Sequence, residues 1–133
     1  MAIKYEYQPQ RAFTPFPSDH LPEGFVYPAH YLEHAKSLSY PMNFIWWFND
    51  CSNGIDPDWD LRLHWQSEGW RYMDEIDPIP FARNGDWAAF FDGNDRNGDP
   101  KVVVVDLGNK MNSYKLSNFD VWLHRALQDS GLI

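Results

Sequence analysis

Cysteine is almost missing from this 133-residue chain, with Cys51 the single example. An internal disulfide is impossible, and a structural zinc centre built on thiolates is excluded. No stretch approaches the roughly 20 apolar residues that cross a bilayer, so no membrane partner is expected. The opening MAIKYEYQPQRAF also lacks an apolar core of signal-peptide length, and a soluble, cytoplasmic protein is the expectation. Basic residues are scarce: 11 Lys and Arg face 19 Asp and Glu, for a formal net charge of −8. That field repels phosphate backbones and argues against nucleic acid as a partner. Familiar catalytic signatures are missing too. There is no G-x-S-x-G elbow, no Gly-rich phosphate loop with Lys, and no nucleophile signature around Cys51.

Apolar material is plentiful. Apolar residues make up 44% of the chain and aromatics 17%, enough for one core in one domain and far from the composition of a disordered chain. The stretch 79–106 organises it. Residues 87–91 (WAAFF) and 102–105 (VVVV) are rich in the aromatic and β-branched residues that pack on a pleated surface. Between them Asp92-Gly93 and Asn97-Gly98 supply turn residues, and Pro100 lacks the N–H a central strand needs, so pairing should resume just after it. Four consecutive valines do not alternate with polar residues. The second strand is therefore expected to be covered on both faces.

Residues 1–24 contain Pro9, Pro15, Pro17 and Pro22 and read as an extended arm, with Phe13 and Phe16 as anchors. After Pro28, residues 29–39 have helical spacing, with Tyr31, Leu32, Ala35 and Leu38 near one face. Residues 43–49 (NFIWWFN) predict a short buried strand with Trp46 and Trp47 in the core. Residues 56–68 alternate Trp59, Leu61, Leu63 and Trp65 with Asp60, Arg62, His64 and Gln66, the period of a half-buried strand, and 70–77 reads as its return. A C-terminal helix is expected over 117–130, with Ser117 as N-cap, Asp120 in its first turn and Gly131 just past its end. Phe119, Trp122, Leu123, Ala126 and Leu127 form its apolar stripe. The fold class is α+β: an antiparallel sheet of about four to six strands with flanking N-terminal and C-terminal helices.

A set of these features resembles the SUKH superfamily, which includes fungal Smi/Knr cell-wall regulators and many bacterial immunity proteins. They are Ile79, Pro80 and Phe81, the Gly85-Asp86 step, Phe90 and Asp92 closing the aromatic strand, Pro100, Val102 to Val105, then Ser117 and Phe119 opening the last helix. Leu21-Pro22-Glu23 is similar to the family's lead into its first helix, whereas the Trp-rich stretch 44–72 departs from its usual pattern. The resemblance implies a single domain over 25–133 and a bacterial immunity protein that neutralises a toxin, without catalysis and without a cofactor.

Three groups of residues carry candidate chemistry. His30-Tyr31-Leu32-Glu33-His34 reads H-x-x-E-H, in which two imidazoles one helical turn apart can face one zinc ion and Glu33 can polarise a water. A zinc hydrolase needs a third protein ligand from a second helix, and the sequence shows no second helix carrying a paired acid, so ordinary solvent-facing helix residues are the expectation. The loop 92–99 resembles a calcium loop in composition, but with Gly98 as the invariant glycine, Val104 falls where Glu is required. A tight acidic turn is expected there, with Asp86 likewise fixing a turn rather than acting in catalysis.

The third group is a partner-binding face. Residues 50–100 carry twelve acids and four bases, so the whole net charge resides in this segment. Asp56, Asp58, Trp59, Asp60, Arg62, Trp65, Trp70, Asp92, Asp95 and Asp99 combine carboxylates with the aromatic and Arg residues that dominate interface hot spots. The same tryptophans also suit half-buried strand positions, and the same acids suit a solubilising surface. The expectation is a protein-binding module for a basic toxin, a nuclease among the candidates. A regulatory scaffold or small-ligand-binding domain of the same fold is the alternative, and a hydrolase centred on His30, Glu33 and His34 the remote one.

Overall fold

The computed structural model describes residues 12–37, 44–56, 76–109 and 111–133. Five strands form one antiparallel sheet in chain order: β1 (Trp47–Phe48), β2 (Pro78–Asn84), β3 (Trp87–Asp92), β4 (Val102–Asp106) and β5 (Ser113–Leu116). Helix α1 (Ala29–Ser37) precedes the sheet and helix α2 (Phe119–Asp129) follows it. The architecture is α+β, as the residue patterns predict. The proposed hairpin over 56–77 lies outside the described residues apart from its ends.

The β3–β4 hairpin is the centre of the sheet. Phe91 pairs with Val102 and Ala88 with Val105, and all four valines of β4 are buried. The even and odd positions feed two separate clusters. Ala89, Phe91, Val102 and Val104 join the larger cluster, while Ala88, Phe90, Val103 and Val105 pack with Ile76 on the other face. Strict alternation of side chains across a strand explains why a run without polar residues is needed here.

Strand β2 escapes a reading from sequence because Pro78 and Pro80 argue against a strand. The two-residue β1 reaches only Ala82 and Arg83, so among the described residues neither proline has a strand partner on that side. A register shift between Pro80 and Ala82 adds one residue and leaves Phe81 within the large cluster. Gly85 and Asp86 close the turn to β3 between the paired Asn84 and Trp87, with Gly85 at φ +59°, a conformation that costs glycine little. Strand β5 is short, and its side chains alternate between exposed and half-buried, as suits an edge strand too brief to mark itself in sequence.

The helices bury aromatic rings against one face of the sheet. Phe81 stacks on Phe91 at 4.3 Å and meets the edge of Trp122 at 4.8 Å, and Tyr31 meets Phe91 at 5.1 Å. Each such ring contributes roughly 1.5–3 kcal/mol by burial, with offset and edge contacts adding to it. Phe13 and Phe16 anchor the described part of the arm. Phe13 stacks on Phe48 at 4.7 Å, and its N–H donates to the Ala35 carbonyl.

Three local expectations need correction. The N-cap of α2 is Asn118, whose side chain accepts from the Val121 N–H at 3.0 Å, and not Ser117. Asn and Ser cap equally well, so the sequence alone does not choose between adjacent candidates. Leu32 is exposed, while Tyr31 and Ala35 of the same expected face meet the core and Leu38 lies outside the described residues. Trp47 is 56% exposed, since β1 forms the edge of the described sheet and turns Trp46 and Phe48 inward instead.

Candidate functional site

The acidic loop after β3 is built by its own carboxylates. Asp92 Oδ1 accepts from the Asn94 N–H at 2.9 Å, and Asn97 Oδ1 accepts from the Asp99 N–H at 2.8 Å. Asp95 Oδ2 accepts from the Lys101 N–H at 3.0 Å and from its ammonium at 3.3 Å. Burial alone would raise the Asp95 carboxyl, but these bonds and one from the Asn97 N–H outweigh it and hold the group below the usual carboxylate range. Asp99 Oδ2 accepts from the Asn118 side chain, joining the loop to the start of α2. Asp99 is exposed, Asp92 is half-buried, and Asp95 is turned toward Lys101 with 12% of its side chain exposed. A charge run in sequence is thus partly internal scaffolding in space.

The stretch 44–56 presents a different surface. Asp50 Oδ1 accepts from the Thr14 and Ser52 N–H groups, and its Oδ2 accepts from the Ser52 hydroxyl. Desolvation works against the Asp50 carboxylate, yet these three bonds keep the carboxyl below its ordinary value. They also pin the arm to the end of β1, together with a Cys51 N–H to Thr14 carbonyl bond of 2.7 Å. Burial, then the Asp50 charge, pushes the Cys51 thiol up, the opposite of what an activated nucleophile requires. Around this scaffold Ile45, Trp47, Ile55 and Asp56 are exposed. Trp47, expected in the core, is thus an exposed aromatic side chain.

The histidines of the H-x-x-E-H motif meet the second helix. Both helices lie on the same face of the sheet, which brings the first turn of α2 beside α1. His30 Nδ1 donates to Asp120 Oδ1, a contact between residues 90 positions apart. Asp120 suits this place, because a carboxylate in a helix's first turn is favoured by the helix dipole. His30 and His34 are one turn apart and face the same way, and their Nε2 atoms lie 3.0 Å from each other with one donating to the other. Buried Phe119 backs both rings at 5.8 Å. Burial, then the neighbouring His30, pushes the His34 imidazole below its ordinary value and favours its neutral form.

Chemically, the chain Asp120–His30–His34 resembles the orienting half of a hydrolytic triad. The group facing the far nitrogen of His30 is another imidazole, however, where a hydroxyl or thiol would be the nucleophile. Glu33 is exposed on α1. Among the described residues no group of three or more His, Cys, Asp or Glu side chains is disposed to hold a metal ion. The second helix required by a zinc hydrolase is present, but its carboxylate binds the histidine edge.

Of the proposed partner-binding residues, Asp56, Asp92, Asp95 and Asp99 are described, and Asp58, Trp59, Asp60, Arg62, Trp65 and Trp70 lie outside the described residues. Asp86 contributes its carbonyl, which accepts from the Leu107 N–H at 2.7 Å and ties the β2–β3 turn to the end of β4. No helix among the described residues is long and apolar enough to cross a membrane. Comparison with models of known protein families, with curated proteins and with solved structures finds no match to this chain.

Proposed function

We propose that this chain is a non-enzymatic protein-binding module that neutralises a basic toxin, in the manner of the SUKH-type immunity proteins it resembles. The observation that carries the reading is Trp47, an indole 56% exposed on the edge strand, in a stretch that also exposes Ile45, Ile55 and Asp56. Tryptophan is among the residue types that most often dominate binding energy, and an exposed carboxylate in the same stretch suits a basic partner. The concentration of the net charge of −8 within residues 50–100 adds long-range attraction toward the same kind of surface. Of the proposed partner-binding carboxylates, Asp56 and Asp99 are exposed, Asp56 in the stretch of Trp47 and Asp99 in the β3–β4 loop, whereas Asp95 serves the loop.

The test isolates the partner with the tagged chain at low and high salt and then measures binding kinetics with variants. The expected partner is basic and stoichiometric, arrests growth when expressed alone, and is silenced by co-expression of this chain. Trp47→Ser should weaken binding by about 2 kcal/mol or more through faster dissociation. Asp56→Lys with Asp99→Lys should slow association at low salt and converge with the parent at high salt. The reading fails if no stoichiometric protein binds at either salt, or if a partner binds all variants alike while their thermal unfolding matches the parent.

A further inference from the structure

The imidazole pair on α1 plays no part in the partner-binding reading, and its geometry has a use of its own. Two Nε2 atoms 3.0 Å apart are within hydrogen-bond distance, as when one proton lies between them. A metal ion can take the place of that proton. At the metal–nitrogen distance of about 2.0–2.1 Å usual for imidazole, a 3.0 Å separation corresponds to an angle at the metal of about 95°. That is close to the right angle between neighbouring positions of a tetragonal or octahedral ion and well short of the tetrahedral angle preferred by zinc.

We propose that His30 and His34 form a two-nitrogen clamp for a divalent transition cation, Ni²⁺ or Cu²⁺ in preference to Zn²⁺, with Asp120 holding the His30 ring in its ligating orientation. The parts of a supported site are present. The helix sets the two imidazoles one turn apart, Phe119 fixes the plane behind both rings, and Asp120 accepts from His30 Nδ1–H so that Nε2 is directed at the shared position. A carboxylate on the distal nitrogen of a ligating histidine is the usual means of setting its tautomer and raising its basicity. Among the described residues no third side chain joins the pair in a metal-binding group. Asp120 is a positioning residue here, acting through His30.

The experiment titrates the full chain, free of any polyhistidine tag, with Ni²⁺ by calorimetry, and follows the imidazole resonances during the titration. One Ni²⁺ per chain is expected, with paramagnetic broadening centred on His30 and His34. His30→Gln and His34→Gln should each abolish the saturable phase, His124→Gln should keep it, and Asp120→Asn should weaken it by about 10–100-fold. Zn²⁺ should bind the parent more weakly than Ni²⁺. His30 and Asp120 are exposed, so thermal unfolding should show these variants folded. The proposal is overturned by the absence of saturable binding at millimolar Ni²⁺, by binding that survives either histidine substitution, or by Asp120→Asn matching the parent. Equal or tighter binding of Zn²⁺ would overturn the assigned preference.

Discussion

On the helix-covered face of the sheet, Phe81, Phe91, Phe119 and Trp122 sit within 4.3–6.3 Å of their ring neighbours and are almost wholly excluded from water. In the loop 92–101, a few residues along the same β-strand, shape comes instead from carboxylate and amide side chains that satisfy main-chain N–H groups. The difference lies in what each residue type tells a reader of the sequence. An apolar run states its destination, because burial is its main source of free energy. A charged run does not, because a carboxylate can face a partner, face water, or hold a turn with similar small differences in energy.

The largest effect should follow from removing an aromatic ring on the packed face. Phe81→Ala leaves a cavity between β2 and both helices and should cost about 3–5 kcal/mol, read as a lower urea midpoint. A loss near 1 kcal/mol would mean that the rings pack loosely. Gly93→Ala probes whether the loop behaves throughout as a polar surface. An added Cβ would lie 2.7 Å from the Asp77 carbonyl oxygen and 3.0 Å from both Ile79 Cδ1 and Pro22 Cγ, so the loop is core-like at this point. Destabilisation of about 1–3 kcal/mol is expected in the same assay, and a neutral result would show that the arm around Pro22 yields freely.

The smallest effect belongs to a loop carboxylate. Asp95→Asn weakens the charge-assisted bonds to Lys101 and should cost about 1.5 kcal/mol at neutral pH. Because the folded carboxyl lies below its ordinary value, its stabilisation is fully present above the unfolded pKa of about 3.9 and fades as the pH falls through the folded value. Parent and variant should therefore converge in acid. Urea midpoints measured at pH 7 and pH 3 check this, and a gap that persists or widens in acid would assign the loss to packing rather than to charge.

Legibility followed the same division. The β3–β4 hairpin, the apolar stripe of α2 and the anchoring role of Phe13 and Phe16 were readable because each depends on the spacing of apolar residues within a short window. Strand β2 was not, since its prolines argue against a strand and only the sheet shows that the two-residue β1 pairs with Ala82 and Arg83 and with neither proline. Within the candidate site, the exposed Asp56 and Asp99 were legible as acids, but the inward turn of Asp95 was not. Trp47 was missed for a simple reason. Trp46, Trp47 and Phe48 are equally apolar, and only the register of β1 against β2 sets which side of the alternating segment turns inward and which ring is left facing water.

The sequence by itself determined that this chain is one acidic α+β unit with a valine-rich central strand, because hydrophobic periodicity and turn chemistry act over neighbouring residues. Only the tertiary structure decided that Asp120 would meet His30 across 90 positions, that Asn118 would cap α2 and bond Asp99, and that Trp47 would face outward. Those outcomes depend on which elements the sheet brings side by side. Contacts between distant residues leave no periodic trace in the segments that make them.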